Sequence, residues 1–154
     1  MRNLLIEDIS EKMQYLEEVT EKLGDKLTKD RYIIEDMGCP HKQPKFKPGW
    51  GAIYIFVHES NGQFEFLKIG KVNTKSAARF VSQHYGFSAQ STLAKSLCSD
   101  EHFVSLGVNR DNVKNWMLEN LHRINIYVKG SKASTELIEA VLHYTYRPRY
   151  EGNI

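Results

Sequence analysis

Apolar and polar positions alternate over residues 3–27 with the period of an amphipathic helix. The apolar side chains recur at steps of three and four, and acidic residues occupy the opposite face. This apolar stripe consists of Ile6, Ile9, Met13, Leu16, Val19, Leu23 and Leu27. A shorter helical segment is predicted over residues 29–37, ending at Gly38. The pattern therefore predicts an N-terminal helical arm over residues 1–38.

Proline and glycine interrupt the regular pattern after the arm. The stretch GCPHKQPKFKPGWG contains three prolines and three glycines, so neither a helix nor a strand is expected there. We interpret residues 39–48 as a linker loop. Residues 49–154 are then a domain of mixed strands and helices.

Two runs of β-branched and aromatic residues, 51–58 and 63–70, flank an Asn-Gly pair and predict a β-hairpin. A two-residue turn would mix polar and apolar side chains on each face. A three-residue loop that also includes Ser60 would instead place Tyr54 opposite Lys68. It would gather on one face the residues Ile53, Ile55, Val57, Leu67 and Ile69. Because a one-residue slip moves every side chain to the other face, the three-residue loop is the prediction.

The rest of the chain is predicted to contain five helices and a third strand. The helices are expected over residues 74–85, 88–98, 100–106, 112–121 and 134–146. Residues 123–129 alternate strictly, with Ile124, Ile126 and Val128 on one side, and predict the strand. The predicted fold class is α+β: a small three-stranded antiparallel sheet flanked by helices, with the N-terminal helical arm.

Length and composition are those of an ordinary globular domain. The chain has 154 residues, of which 41% are hydrophobic and 26% charged, enough for one domain with a sizeable core. No apolar run approaches the length of a membrane span, and the start turns acidic too early for a secretory signal. The lack of a long apolar run predicts no membrane partner. Cys39 and Cys98 are far apart in sequence, so no disulfide framework is expected and a reducing, cytoplasmic location is favoured.

The net charge of +2 conceals an uneven distribution. Residues 1–38 hold 6 Lys/Arg against 10 Asp/Glu, whereas residues 39–95 hold 8 against 2, and residues 96–154 hold 7 of each. A basic middle segment is what binding to a phosphate backbone requires. The alternative is a solvated lysine-rich loop. Zinc binding by the pairs Cys39/His41 and Cys98/His102 is disfavoured, because neither gap is a common zinc spacing.

Four short motifs, in order, resemble the GIY-YIG nuclease domain. The first is Ala52-Ile53-Tyr54, and the second is Lys68-Ile69-Gly70, in which Lys replaces the usual Tyr. Arg79 follows in the next predicted helix, and Glu139 lies in the last helix, nine residues before Pro148. The resemblance covers roughly residues 49–154 and leaves the arm outside.

The resemblance implies a DNA endonuclease that depends on a divalent metal, Mg²⁺ or Mn²⁺. Tyr54 would be the general base, Arg79 would clamp the scissile phosphate and Glu139 would hold the metal. A phenol is a poor base at its ordinary pKa of about 10. A cationic neighbour favours the phenolate, so Lys68 opposite Tyr54 is expected to lower the pKa of the phenol. With Lys in the second motif, the chain resembles a branch of the family that contains some restriction enzymes. This resemblance suggests a role in restriction or in anti-phage defence.

Some assignments stay open. Glu136 is one turn from Glu139 on the same face and competes with it for the metal. The family's closing Asn comes sooner after the Pro than Asn153 does, so the role of Asn153 is open. The alternative function is a catalytically weak DNA-binding module of the same fold.

Further DNA contacts are expected in the basic segment and the predicted loops. The candidates are Lys71, Lys75, Gln83, His84, Tyr85 and Lys95. The family often has a His or Tyr four residues after the helix Arg, and Gln83, His84 and Tyr85 all compete for that place. The apolar stripe of the arm either packs across the sheet or pairs two chains as a homodimer.

Overall fold

The computed structural model of the chain describes residues 2–74 and 77–151, with side chains from Leu4 onward within those ranges. The helices are α1 (Arg2–Lys22), α2 (Ala78–Val81), α3 (Leu93–Ser99), α4 (Glu101–Ser105), α5 (Val113–Asn120) and α6 (Lys132–Tyr146). The strands are β1 (Tyr32–Gly38), β2 (Gly51–Ser60), β3 (Gln63–Val72) and β4 (Leu121–Val128). The α+β class is confirmed.

The described strands form one antiparallel sheet in the order β1-β4-β2-β3. The prediction of three strands was therefore wrong, because a helix was predicted where β1 lies. The stretch from Tyr32 to Ile34 is aromatic and β-branched, and it pairs with β4 from Tyr32 opposite Val128 onward. This pairing satisfies backbone groups of β4 that would otherwise form an open edge. Only Lys29–Arg31 forms a short 3-10 turn.

The sheet lies between two layers of helices. On one side α1 and α6 pack against alternating β-branched residues such as Ile53, Ile55 and Ile124. On the other side α2 to α5 cover the aromatic side chains of Tyr54 and Phe56. The predicted segregation of β4 is confirmed, since Ile124, Ile126 and Val128 all lie in the first of these cores.

The apolar stripe of α1 packs across the sheet within the same chain. Ile9, Met13 and Leu16 are fully or almost fully buried there. Leu23 lies beyond the end of the helix at Lys22 and is 74% exposed. The sequence left two possibilities for the stripe, packing across the sheet or pairing with a second chain. In this structure the stripe packs across the sheet.

The register of the hairpin differs from the prediction. A two-residue turn at Asn61 and Gly62 pairs Ser60 with Gln63, and a bulge beside Phe56 then shifts the register. Tyr54 therefore lies opposite Gly70, and Lys68 lies opposite Phe56. The turn and the bulge each shift the pairing by one residue from the predicted register, in the same direction. As a result Ile53, Ile55, Val57 and Ile69 still lie on one face of the sheet, as predicted. The bulge also moves Leu67 into the core that contains Tyr54, not the face predicted for it.

The helices after the hairpin are shorter than predicted. Residues 74–85 contain α2 and a 3-10 turn over Gln83–Tyr85 instead of one helix. The helix predicted over 88–98 begins only at Leu93, where Thr92 is the N-cap and its side chain accepts from the backbone N–H of Lys95. The helices α4, α5 and α6 begin and end within two residues of their predicted positions. Between β1 and β2 there is neither helix nor strand.

After α6 the chain runs along β3. The backbone amides of Arg149 and Tyr150 donate to the carbonyls of Phe66 and Leu67, both at 2.9 Å. These bonds hold the bulged part of β3 and carry Glu151 to the sheet edge. No helix in the described ranges is both long and apolar enough to cross a bilayer.

Candidate active site

A polar cleft of about 470 Å³ lies at the β3 edge of the sheet, between α2 and α6. We call it the Tyr54 cleft. It brings together the four residues predicted as catalytic. Its polar lining consists of Tyr54, Lys68, Lys71, Arg79, Glu139, His143 and Glu151. Residues that are up to 97 positions apart in sequence, Tyr54 and Glu151, thus share one concave surface, as an active site requires.

Tyr54 occupies the bottom of the cleft because Gly70 leaves room for its ring. The residue is 2% exposed, and its phenol lies across the backbone of Gly70 on the neighbouring strand. A Cβ atom at Gly70 would overlap the phenol oxygen and the adjacent ring carbon. The glycine of the Lys-Ile-Gly motif is therefore required for the position of the tyrosine.

His84 holds the phenol oxygen of Tyr54 from below. Its Nε2 lies 2.7 Å from the Tyr54 hydroxyl, and its Nδ1 accepts the backbone N–H of Leu93 at 3.0 Å. Burial, aided by the charges of Arg79 and Lys68, lowers the pKa of His84 to about 3. The ring is thus neutral at neutral pH, and with Nδ1 accepting, the proton lies on Nε2. His84 therefore donates a hydrogen bond to the oxygen of Tyr54.

Arg79 supplies the positive charge that acts most strongly on Tyr54. Burial raises the pKa of Tyr54, and the guanidinium of Arg79 opposes that rise, with a smaller contribution from Arg123. Arg79 is itself held by the loop before α3, where it donates to the carbonyl of Ser91 at 3.0 Å. A second, longer hydrogen bond joins the guanidinium to the carbonyl of Gln90 at 3.4 Å, and Arg79 also lines the cleft.

Lys68 is in the cleft but does not face Tyr54 as predicted. It lies opposite Phe56, two residues along β3 from Gly70, with 9% of its surface exposed. Burial lowers its pKa, and the nearby charge of Arg79 acts in the same direction. Both residues still share one face of the sheet, so Lys68 can reach a group bound above Tyr54.

The carboxylate of Glu139 faces the Tyr54 cleft from α6. Lys71 lies 3.2 Å from its Oε1, and the Glu139 side chain is 23% exposed. Glu136, the competing candidate, is 49% exposed, lies outside the cleft lining and pairs with Lys132 at 3.6 Å. His143, one turn after Glu139, is engaged by the carbonyl of Ile69 at 2.7 Å. The geometry therefore gives Glu139 the position that a metal ligand would need.

The residues of the cleft fit a Mg²⁺ or Mn²⁺ ion held by a single protein ligand. Mg²⁺ keeps several waters and is commonly held by one or two carboxylates together with substrate phosphate oxygens. Glu139 supplies one such carboxylate, and within the described ranges its Oε2 makes no hydrogen bond. The same part of the chain has no group of three or more His, Cys, Asp or Glu that could form an all-protein cage.

The residues predicted to bind DNA divide into accessible and buried ones. Lys71 lines the cleft, and Gln83 is half-buried. His84 and Tyr85 are buried, at 0% and 3% exposure, so a direct contact with DNA was wrongly predicted for both. Their aromatic rings complete the core behind Tyr54 instead.

Of the two other predicted DNA contacts, Lys95 lies within the described residues. Lys95 is half-buried and donates to the carbonyl of Ala89 at 2.6 Å, so it holds the loop before α3. Lys75 and Asn153 lie outside the described residues.

Arg123 is a buried cation that the sequence did not single out. It is 0% exposed, and its guanidinium lies 5.5 Å from the ring centre of Tyr54 and 4.7 Å from that of Phe56. It donates to the hydroxyl of Tyr85 and to the side chain of Asn125. In an alternating strand Arg123 reads as a solvated position, so the pattern gave no signal of this role.

No family model, curated protein or solved structure matches the chain. The fold defines an α+β protein with a four-stranded antiparallel sheet in its described part. The site defines a cleft in which a buried phenol, cationic side chains and two carboxylates, those of Glu139 and Glu151, converge. Any activity must therefore be argued from the chemistry of these groups.

Proposed function

We propose that the chain is a metal-dependent DNA endonuclease of the GIY-YIG type. The observation that carries this proposal is the hydrogen-bonded phenol of Tyr54 at the bottom of a cleft that also holds Arg79, Lys68 and Glu139. Hydrolysis of a phosphodiester needs a proton acceptor for the attacking water and positive charge around the phosphate. The cleft contains a group for each of these tasks.

Tyr54 acts as the general base on the attacking water. The Nε2–H of His84 and the guanidinium of Arg79 stabilise the phenolate form, because both favour negative charge on that oxygen. Burial raises the pKa of the free phenol. Burial outweighs these neighbours and keeps the pKa of Tyr54 above its ordinary value, so the phenolate is a small fraction at neutral pH and increases with pH.

Arg79 and Lys68 bind the scissile phosphate. Arg79 offers its guanidinium, and Lys68 offers an ammonium on a buried stem in the lining of the same cleft. Glu139 would hold the metal, which when bound would supply positive charge to the transferring phosphate group. Lys71 orients the carboxylate of Glu139 through its 3.2 Å ion pair.

A second function, a catalytically weak DNA-binding module, is favoured by one feature of the same site. Lys71 already neutralises Glu139 in the absence of DNA. If this ion pair persists when DNA binds, the cleft would hold the phosphate without cutting it. The two functions differ in whether product forms when metal is supplied.

Incubation of the protein with plasmid and single-stranded DNA tests the proposal. Cleavage is expected with Mg²⁺ or Mn²⁺, and none with a chelator. Glu139→Gln is expected to abolish cleavage and to leave DNA binding intact, because only the metal ligand is lost. Glu136→Gln, on the same helix but outside the cleft, is the matched control and should cut normally. DNA binding without cleavage by the parent in any of these metals would establish the binding module instead.

A further inference from the structure

A second pocket, of about 380 Å³, adjoins the Tyr54 cleft. We call it the Gly51 pocket. It shares Lys71 and Arg79 with the cleft, so the two form one continuous surface. Its volume is within the range of small-molecule sites. Apart from the shared Lys71 and Arg79, none of the residues that line the Gly51 pocket has a role in the proposed cleavage.

The Gly51 pocket has apolar and small walls. Gly51 and Val72 contribute to it from neighbouring strands, and Thr135 contributes from the first turn of α6. A Cβ atom at Gly51 would lie 3.2 Å from Oγ1 of Thr135, so a side chain there would narrow the space. A flat, largely apolar group fits such walls better than a phosphate does.

Trp50 packs against the core that contains Tyr54 and Val72, is not itself a lining residue of the pocket, and has two lysines over its ring. The residue immediately precedes Gly51 and is half-buried. The Nζ atoms of Lys47 and Lys129 lie 5.5 Å and 5.7 Å from its ring centre. Lys129 in turn immediately precedes Gly130, another lining residue. An indole flanked by ammonium groups is the combination that stacks a nucleobase and binds its phosphates.

The charges around the pocket are mainly positive. Lys132 lies in its wall, in addition to the shared Lys71 and Arg79. Two carboxylates face these cations, Glu136 toward Lys132 and Glu139 toward Lys71. Together with the two lysines over Trp50 there are five cations, and the carboxylates near them are Glu136, Glu139 and, near Lys129, Asp30. The excess of positive charge favours a polyanionic strand.

We infer that the Gly51 pocket and Trp50 receive an unpaired nucleobase next to the scissile phosphate. This rests on the proposed function and names its substrate: DNA that is single-stranded, or has an extruded base, at the cut. In a duplex the faces of a base are covered by its neighbours, so stacking on Trp50 requires the base to leave the stack. The base displaces one flexible lysine tip from the indole, and that ammonium then meets the backbone.

Tryptophan fluorescence tests the inference without any cleavage. The chain contains two tryptophans, so Trp116→Phe leaves Trp50 as the only indole. This variant, combined with Glu139→Gln to prevent cutting, is titrated with a twelve-nucleotide oligothymidylate and with a blunt-ended duplex of two complementary strands. Strong quenching by the single strand and weak quenching by the duplex are expected. Quenching by neither DNA, or stronger quenching by the duplex, would overturn the inference.

Affinity measurements on substitutions of Trp50 give the second readout. In the Glu139→Gln background, Trp50→Ala is expected to weaken single-strand binding by roughly five- to 150-fold, the effect of losing one stacked base. Trp50→Phe keeps a π-face and should restore most of it, and it serves if the alanine variant does not fold. Equal affinity for all three proteins contradicts the inference.

The two proposals fail separately. Quenching together with no cleavage by the parent leaves the nucleobase site standing and removes the endonuclease. Cleavage without quenching, and without an effect of Trp50→Ala, removes the nucleobase site and leaves the endonuclease.

Discussion

At the scale of single residues, the proposed chemistry depends on the ionisation of Tyr54. Because burial raises the pKa of this phenol, the fraction of phenolate increases with pH through the neutral and alkaline range. We expect the cleavage rate to rise over the same range. Tyr54→Phe keeps the packing of the ring and should lower kcat by roughly 10²- to 10⁴-fold, the usual contribution of a general base. A Tyr54→Phe enzyme with full activity would show that another group activates the water.

The neighbours of Tyr54 make different contributions to its pKa. His84→Phe removes the donor to the phenol oxygen, and the rising limb of the rate–pH profile should move to higher pH. Lys68→Met is the control for this shift in pH. The cation that acts most on the pKa of Tyr54 is Arg79, so loss of the Lys68 charge should leave that pKa nearly unchanged. For Lys68→Met we expect a lower maximal rate with the limb in place, as for a phosphate ligand. If the rising part of the rate–pH profile moved in Lys68→Met and not in His84→Phe, then Lys68 and not His84 would set the pKa of Tyr54.

The sequence predicted the residues of the cleft better than their contacts. Tyr54, Lys68, Arg79 and Glu139 do converge, because each lies at a set point on a strand or helix near the β3 edge. The partner of Tyr54 could not be selected from the sequence. His84 reaches the phenol only because a 3-10 turn follows the short α2, and a continuous helix would have turned it elsewhere.

At the scale of elements, the fit between β2 and β3 is the most sensitive contact of the site. Gly70→Ala places a methyl group where the phenol of Tyr54 now lies, so the ring must leave its position. We expect a loss of about 1–3 kcal/mol in the free energy of unfolding, the usual cost of overpacking, and a loss of activity. Gly86→Ala is the control, since its Cβ would meet nothing within 4 Å. Thermal unfolding and cleavage rates compare the two, and equal stability would show that the ring is free to move.

Elements with a long, regular pattern were predicted well, and those determined by pairing were not. The stripe of α1 and the alternation of β4 each repeat over several periods, so local sequence suffices. The strand β1 has only a short run near Ile33, and the free edge of β4, distant in sequence, makes it a strand. The register of the hairpin depends on a bulge at Leu67, which the C-terminal segment holds in place through Tyr150.

At the scale of the whole molecule, α1 and β1 complete the core instead of forming an independent arm. The strand β1 pairs along β4, and α1 covers the face of the sheet that α6 leaves open. The apolar stripe of α1 is buried against the sheet of its own chain, so it is not exposed for contact with a second chain. A homodimer stays a prediction, and it would need a different surface, because Ile9 and Met13 are fully buried.

Removal of residues 1–37 decides between these roles. The truncation deletes α1 and almost all of β1, so it exposes the apolar face of the sheet and opens the edge of β4. We expect an insoluble or unfolded product by circular dichroism and size-exclusion chromatography with light scattering.

Two point variants of the full chain give the same test in soluble form. Met13→Ala should lower the free energy of unfolding by about 2–5 kcal/mol, because it empties a buried site. Leu23→Ala, at a 74% exposed position, should change it little. A truncated chain that is folded and monomeric, from a parent that is dimeric, would instead show that the stripe joins two chains.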